Sequence, residues 1–101
     1  MENTTAGAEI VREAYDLITG PRQHDYDHPL DDYTRTADIF RAMTGIEMNA
    51  EQAVLFMVAV KLSRLANEMK RKLEVPDNTR DAIGYLGCHN MIREARRGIS
   101  G

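Results

Sequence analysis

The chain has 101 residues, of which 43% are hydrophobic and 29% charged, and its net charge is −3 at pH 7. These values are typical of one small globular domain and argue against a disordered chain. They provide no positive field for DNA or RNA, so nucleic-acid binding is not expected. The sequence has no apolar run of about 18 residues for a membrane span and no apolar signal segment in Met1–Gly7. Because Cys88 is the single cysteine, an internal disulfide is excluded, and we expect a cytoplasmic protein without membrane contact.

Glycine and proline divide the sequence into four segments of helical character. The first segment ends before Gly20-Pro21, and the second begins at Pro29 and ends at Gly45. Apolar spacing predicts helices over about residues 5–19, 29–44, 50–74 and 78–97. Since no segment alternates in the manner of a β-strand, the sequence predicts a single all-α domain over residues 1–101, a compact bundle of four helices.

The third predicted helix has the clearest pattern. It begins with a capping box formed by Asn49 and Gln52. Residues 53–60 are almost all apolar, which predicts burial on every side. Beyond Lys61 the pattern is amphipathic. The residues predicted to face inward are Leu62, Leu65, Ala66, Met69 and Leu73, and those predicted to face water are Glu68, Lys70, Arg71 and Lys72.

The connector between the first two helices concentrates side chains suited to binding. It contains Arg22, His24, Asp25, Tyr26, Asp27 and His28. Carboxylates and imidazoles are competent metal ligands, although their spacing here matches no closed zinc site. The structural alternative is a solvated loop in which Asp27 or His28 caps the second helix.

Lys61 and Arg64 lie three residues apart and therefore share a helix face. Lys61 follows the apolar run, so its ammonium must reach water, an acidic partner or a ligand. The guanidinium of Arg64 suits a phosphate or a carboxylate. The structural alternative is an intramolecular salt bridge at the end of a buried helix. In an antiparallel hairpin centred near residue 75, Lys61 would face His89 and Arg64 would face Leu86, and Arg64 would reach Asp81 only with an extended side chain.

The fourth predicted helix contains a stripe of polar residues and two internal glycines. Asp77, Asp81 and Tyr85 are spaced four residues apart on one stripe. The two carboxylates could hold Mg²⁺, whereas in the structural alternative Asp77 is a helix cap and Asp81 a salt-bridge partner. Gly84 and Gly87 each cost about 1 kcal/mol relative to alanine, so we expect a closely packed second backbone or a ligand that needs the space.

In this order the motifs resemble those of a family of small phage and prophage proteins. The matching segments are Arg22-x-x-Asp25-Tyr26-x-His28-Pro29, Lys61-Leu-Ser-Arg64-Leu and Asp77-x-x-x-Asp81-Ala-Ile-Gly84-Tyr85. The family carries R-x-x-DYGHP, K-x-x-R-L and D-x-x-x-D-I-A-G-Y at these places. It is similar to phage domains associated with nucleotide modification and, more remotely, to all-α MazG-type nucleotide pyrophosphohydrolases.

The resemblance implies which residues form a ligand site. They are Arg22, Asp25, Tyr26, His28, Lys61, Arg64, Asp77, Asp81 and Tyr85. The chain departs from the family in two respects: Asp27 stands where the family has glycine, and the segment between Arg64 and Asp77 is a few residues longer. It also lacks the paired E-x-x-E motifs with which MazG-type enzymes hold Mg²⁺. The absence of these motifs weakens the interpretation as an enzyme.

We favour a protein that binds a nucleotide or nucleotide-derived signalling molecule without turning it over, as a phage would to sequester a host immune signal. Arg22, Lys61 and Arg64 would meet phosphates. Tyr26 or Tyr85 would stack on a base. One bundle of this size has little room for a deep pocket, so a homo-oligomer with ligand near an interface is expected.

Two other functions remain open. The first is a Mg²⁺-dependent nucleotide phosphohydrolase, in which Asp25, Asp77 and Asp81 hold the metal and His28 acts as acid or base. Mg²⁺ is the one cofactor that the sequence leaves open. The second is a structural or protein-interaction module of a phage particle or regulator, in which the charged motifs are salt-bridge networks that fix the helix packing.

Overall fold

The computed structural model describes residues 5–21 and 26–100, with the backbone alone for residues 99 and 100. It describes four helices, and these are α1 (Thr5–Thr19), α2 (Pro29–Thr44), α3 (Ala50–Arg71) and α4 (Pro76–Ser100). The prediction of an all-α bundle of four helices is confirmed. In the described part of the chain, no helix combines the length and the apolar character that crossing a bilayer requires.

The helix bounds follow local sequence signals where these are strong. Gly45 adopts φ 76° and ends α2, and its N–H donates to the carbonyl of Arg41 at 2.8 Å. At the start of α3, the Gln52 N–H donates to Asn49 Oδ1 at 2.8 Å and the Asn49 N–H donates to Gln52 Oε1 at 2.9 Å. The predicted capping box is therefore confirmed.

Helix α4 is the central element, since it packs against each of the other three helices. Within the core, Ala50 and Val54 from α3 and Ile92 from α4 form a small cluster of buried residues. Four half-buried residues pack against this cluster, namely Leu30, Tyr33, Tyr85 and Cys88. Because α1 and α2 both pack on α4, side chains of α4 form the bottom of the space between them. A pocket lies in this space.

Helix α3 ends at Arg71 rather than at residue 74, and α4 runs from Pro76 to Ser100 rather than from 78 to 97. Lys72 adopts a left-handed conformation with φ 56° and terminates α3. Glu68 stabilises the turn that follows, because its Oε1 accepts from the Val75 N–H and its Oε2 from Asn78 Nδ2, each at 2.7 Å. The prediction that Glu68 faces water is wrong, since the residue is only 8% exposed.

We expect Glu68→Gln to lower the melting temperature by several degrees, because a neutral amide weakens both hydrogen bonds that tie α3 to the start of α4. The hydrogen bonds from Asn78 and Val75 lower the pKa of Glu68, so the folded state favours its ionised form. The stabilisation is therefore present above the ordinary glutamate pKa and is lost as the pH falls through the lowered one. Thermal melts from pH 7 to pH 3 test this.

The matched control for that experiment is Glu74→Gln, an exposed glutamate in the same turn. We expect it to leave the melting temperature unchanged. Equal melting curves for the two variants would contradict the assigned role of Glu68.

The outer face of α3 also differs from the prediction. Leu55 is 44% exposed and Phe56 59%, although residues 53–60 were expected to be buried on all sides. Leu62 and Met69, predicted to face inward, are 53% and 81% exposed. The reason is geometric: α3 contacts α2 and α4 on one side only, and a domain of this size cannot surround each of its helices.

Candidate functional site

A pocket of about 270 Å³ opens between α1 and α2, above α4. Leu17 and Ile18 of α1 form one wall. The remaining lining residues come from the connector, α2 and α4, and they are Tyr26, Asp27, Pro29, Asp32, Tyr33, Asp81, Gly84, Tyr85 and Cys88. The lining therefore combines apolar side chains with three tyrosines and three aspartates.

Asp81 is the most strongly held carboxylate of this pocket. Its Oδ2 lies 3.0 Å from Lys61 Nζ, and its Oδ1 lies 3.1 Å from Arg80 Nη2. The side chains of Lys61 and Asp81 are only 13% and 19% exposed. Burial raises the pKa of Asp81, but hydrogen bonds from Lys61 and Arg80 outweigh that effect and hold the pKa below its ordinary value. Asp81 is thus an ionised group fixed in position by two cations.

This ion pair corrects the predicted alignment of α3 and α4. Lys61 reaches Asp81, whereas an antiparallel hairpin centred near residue 75 would have placed Lys61 opposite His89. At the far end of the same helix pair, Glu51 Oε1 accepts from Arg96 Nη1 at 2.6 Å. Part of the difference arises because α3 ends at Arg71, so the hairpin turns earlier than a centre at residue 75 implies.

A second charged group lies at the start of α2. Arg35 Nη2 is 3.3 Å from Asp27 Oδ2 and 3.6 Å from Asp32 Oδ1. A single guanidinium thus faces both of the remaining pocket carboxylates. Around this pocket three aspartates are matched by three cations, and the third cation, Arg80, also pairs with Asp77 at 3.4 Å.

Asp27 occupies a backbone conformation that favours glycine, with φ 68°. From the resemblance to small phage proteins, glycine was the residue expected at this position. Aspartate is among the few residues that tolerate this region, because its short polar side chain bonds locally. In this chain the position supplies a carboxylate to the pocket that a glycine would not.

His28 acts as the N-cap of α2. The Leu30 N–H donates to His28 Nδ1 at 3.0 Å, and Pro29 is the first helical residue. The structure therefore places the imidazole in the capping role that was the alternative to a ligand role. His28 is exposed and does not line the pocket.

The aromatic part of the pocket is continuous with the core. Tyr33 and Tyr85 are half-buried and pack against the cluster formed by Ala50, Val54 and Ile92. Cys88 lies beside them, and burial, followed by the charge of the nearby Asp32, raises the pKa of its thiol. Cys88 is accordingly a protonated, apolar part of the lining rather than a nucleophile. The tyrosines and Cys88 therefore form one packed unit with the buried cluster, and Leu30 belongs to the same unit.

Two of the glycines of α4, Gly84 and Gly87, are explained by α1. A Cβ atom on Gly87 would lie 2.8 Å from Ile18 Cδ1, and one on Gly84 would lie 3.4 Å from Ile18 Cγ2. Helix α1 therefore packs closely on α4 at these positions, through the Ile18 side chain rather than through a second backbone. Gly84 also lines the pocket, so its missing side chain leaves space there as well.

The structure brings only part of the predicted ligand set together. Tyr26, Asp81 and Tyr85 line the pocket, and Lys61 contacts it through Asp81. Arg22 and Asp25 lie outside the described residues.

Two further members of that set lie elsewhere. Arg64 is exposed and lines a separate shallow groove on α3, and Asp77 is exposed and paired with Arg80. The predicted reach of Arg64 toward Asp81 is replaced by the Lys61 contact.

Sequence reasoning missed several residues of the site. They are Leu17, Ile18, Asp32, Tyr33, Arg35 and Arg80. Asp32 and Arg35 are spaced i, i+3, which is a recognisable local signal for an ion pair. The apolar wall from α1 had no such signal, because it depends on how α1 crosses α4.

The positions of the carboxylates decide whether the pocket can hold a metal ion such as Mg²⁺. Within residues 5–21 and 26–100, no three histidine, cysteine, aspartate or glutamate side chains converge closely enough to hold a metal ion. The pocket aspartates face cations in this structure. A divalent ion would therefore compete with Arg35 or with Lys61 for the same oxygens.

Comparison with known proteins places the chain among phage-related sequences. It is 28% identical over 85 residues to the Gene 55 protein of Mycobacterium phage D29, a match that covers 84% of this chain and 54% of that protein. The chain thus spans about half the length of the curated relative it matches. No solved structure matches it. A family model described as a domain of unknown function, DUF6378, matches residues 9–93, and the chain belongs to this family.

Proposed function

We propose that this chain binds a nucleotide or a nucleotide-derived signalling molecule in the pocket between α1 and α2 and does not turn it over. The observation that carries the proposal is the lining itself, in which tyrosine rings and cation-backed carboxylates surround one cavity. A phage-encoded protein with this property would act on a host immune signal by sequestering it.

The chemistry of the lining suits a nucleoside. Tyr26, Tyr33 and Tyr85 offer rings on which a base can stack, and stacking contributes about 1–3 kcal/mol per base. Carboxylate oxygens are acceptors only, so Asp32 and Asp81 suit the amino groups of a base and the hydroxyls of a ribose. The volume of about 270 Å³ is at the lower end for small-molecule sites, so we expect phosphates to extend toward the opening.

The cations around the pocket offset the repulsion that its aspartates would exert on a phosphorylated ligand. An uncompensated group of three aspartates would repel phosphate, but Arg35, Lys61 and Arg80 neutralise them. Arg35 is 56% exposed at its side chain and can turn one edge of its guanidinium toward an incoming phosphate while it still contacts an aspartate.

The same ion pairs favour binding over hydrolysis. Metal-dependent phosphate chemistry requires carboxylates that are available to the metal. Asp81 is held by Lys61 and Arg80, and releasing it would leave a largely buried ammonium without its partner. The energetic cost of recruiting Asp81 to Mg²⁺ supports a pocket that recognises its ligand without turning it over.

The test is incubation of the protein with a pool of mono-, di-, tri- and cyclic nucleotides and Mg²⁺, followed by washing, denaturation and mass spectrometry of both fractions. We expect an intact nucleotide in the denatured fraction. A new product in the free fraction would instead indicate a Mg²⁺-dependent phosphohydrolase. Absence of both from the defined pool and from host-cell extract would favour a structural or interaction module.

Substitutions inside and outside the pocket test whether the nucleotide binds there. Asp32→Asn changes a pocket acceptor, and we expect it to reduce the recovered nucleotide at least several-fold. The matched control is Asp38→Asn, an exposed aspartate on the same helix, which should leave recovery unchanged. Equal recovery from both variants would place the ligand outside this pocket.

A further inference from the structure

The exposed face of α3 carries a regular apolar stripe. Its members are Leu55, Ala59, Leu62, Ala66 and Met69, which follow one another at spacings of four, three, four and three residues. All five are exposed. This alternation is the heptad pattern with which one helix packs against another along a continuous seam. Scattered exposed apolar residues are ordinary on a surface, but this spacing is not that of a solvated helix face.

We propose that the stripe is the interface between two copies of this chain, with the two α3 helices packed antiparallel. The size pattern along the stripe favours this arrangement. When Leu55 faces the partner's Ala66 and Ala59 faces the partner's Leu62, each leucine of the stripe meets an alanine. A parallel pair would instead stack leucine on leucine and leave gaps at the alanines.

The charges of α3 agree with the antiparallel direction. The helix has Glu51 in its first turn and Lys70 and Arg71 in its last, followed by Lys72. Glu51 is already held within its own chain by Arg96. Parallel packing would place Lys70, Arg71 and Lys72 of the two copies side by side, whereas antiparallel packing keeps these like charges at opposite ends of the dimer. A two-fold axis through the middle of α3 makes the same patch serve both chains.

The surface beside the stripe has a matching shape. A shallow groove on α3 is lined by Phe56, Ala59, Val60, Ser63 and Arg64. In the proposed register the ring of the partner's Phe56 lies next to Ser63, at this groove. Phe56 is 59% exposed, so its burial would remove a large apolar surface from water in each copy. The homo-oligomer predicted from the size of the domain thus acquires a specific surface.

The first test is the mass of the protein in solution, by light scattering and sedimentation over a range of concentrations. We expect a mass twice the 11.4 kDa of one chain. Leu62→Glu should return the mass to that of a single chain while the helical circular dichroism is retained, because the residue is half-exposed within the chain. The matched control, Ile39→Glu, changes an equally exposed apolar residue of α2 and should leave the dimer intact.

The second test reports the direction of the helices independently of stability. Ala59→Cys and Leu62→Cys are made in separate chains, each with Cys88→Ala, and the two proteins are mixed and oxidised. Antiparallel packing predicts disulfides between unlike chains. Disulfides between like chains would show parallel packing and overturn the proposal. A single-chain mass at all concentrations, or a dimer that persists in Leu62→Glu, would overturn it as well.

Discussion

Asp81→Ala is expected to reduce the free energy of unfolding by about 2–4 kcal/mol. The substitution removes the partner of Lys61, whose side chain is only 13% exposed and has no other acid placed against it within the described residues. A domain of this size has a total stability of about 5–15 kcal/mol, so the loss is a large fraction of it. Urea denaturation monitored by circular dichroism measures the change.

The control for Asp81→Ala is Asp38→Ala, which removes an exposed aspartate of α2. We expect this substitution to change the stability by no more than about 0.5 kcal/mol. Similar losses for the two variants would mean that the Lys61–Asp81 pair does not hold the helices together.

The pH dependence of this pair has a defined sign. The pKa of Asp81 is lowered in the folded protein, so its contribution is present above the ordinary aspartate value and is lost as the pH falls through the lowered value. The difference in stability between the native chain and Asp81→Asn should therefore shrink below about pH 4. A constant difference down to pH 3 would contradict the ionic origin of the effect.

The helices were predictable because their ends are encoded by short-range chemistry. Gly45 supplies the left-handed residue that closes α2, and Asn49 with Gln52 closes the hydrogen bonds at the start of α3. Each signal lies within four residues of the end that it determines, so no knowledge of tertiary packing is required.

The C-terminal end of α3 could not be predicted from short-range signals in the sequence. Lys72 adopts a conformation usual for glycine or asparagine, and nothing in its residue type announces this. The turn is stabilised by Glu68, which reaches seven and ten residues ahead to Val75 and Asn78. An interaction of that range was not visible in a helical pattern, and missing it displaced the alignment of α3 with α4.

The candidate site was predictable in its chemistry but not in its partners. The sequence identified Asp81 and Tyr85 as neighbours on one stripe, and both line the pocket. It also indicated that Lys61 needs an acidic partner, yet whether Lys61 or Arg64 meets Asp81 depends on the rotation of α3 about its axis. That rotation is set by which apolar face is buried, and the predicted inward face of α3 included the exposed Leu62.

Ile92→Ala is expected to cause the second large loss of stability, a decrease of about 3 kcal/mol in the free energy of unfolding. The side chain is fully buried at the centre of a small core, and its truncation removes apolar contacts and leaves a cavity. Ile39→Ala is the matched control, because that isoleucine is 55% exposed and its truncation should cost less than about 0.5 kcal/mol. Urea denaturation of the two variants gives the comparison.

The Ile92 variant also connects the core to the pocket. Tyr33 and Tyr85 pack with one side against the cluster that contains Ile92 and line the pocket with the other. Removing the support behind the two rings should allow them to shift and so weaken nucleotide binding, even at temperatures where the variant is fully folded. Recovery of nucleotide equal to that of Ile39→Ala would mean that the rings are positioned without the core. Reduced recovery would mean that the packing which stabilises this small bundle also fixes the geometry of its binding site.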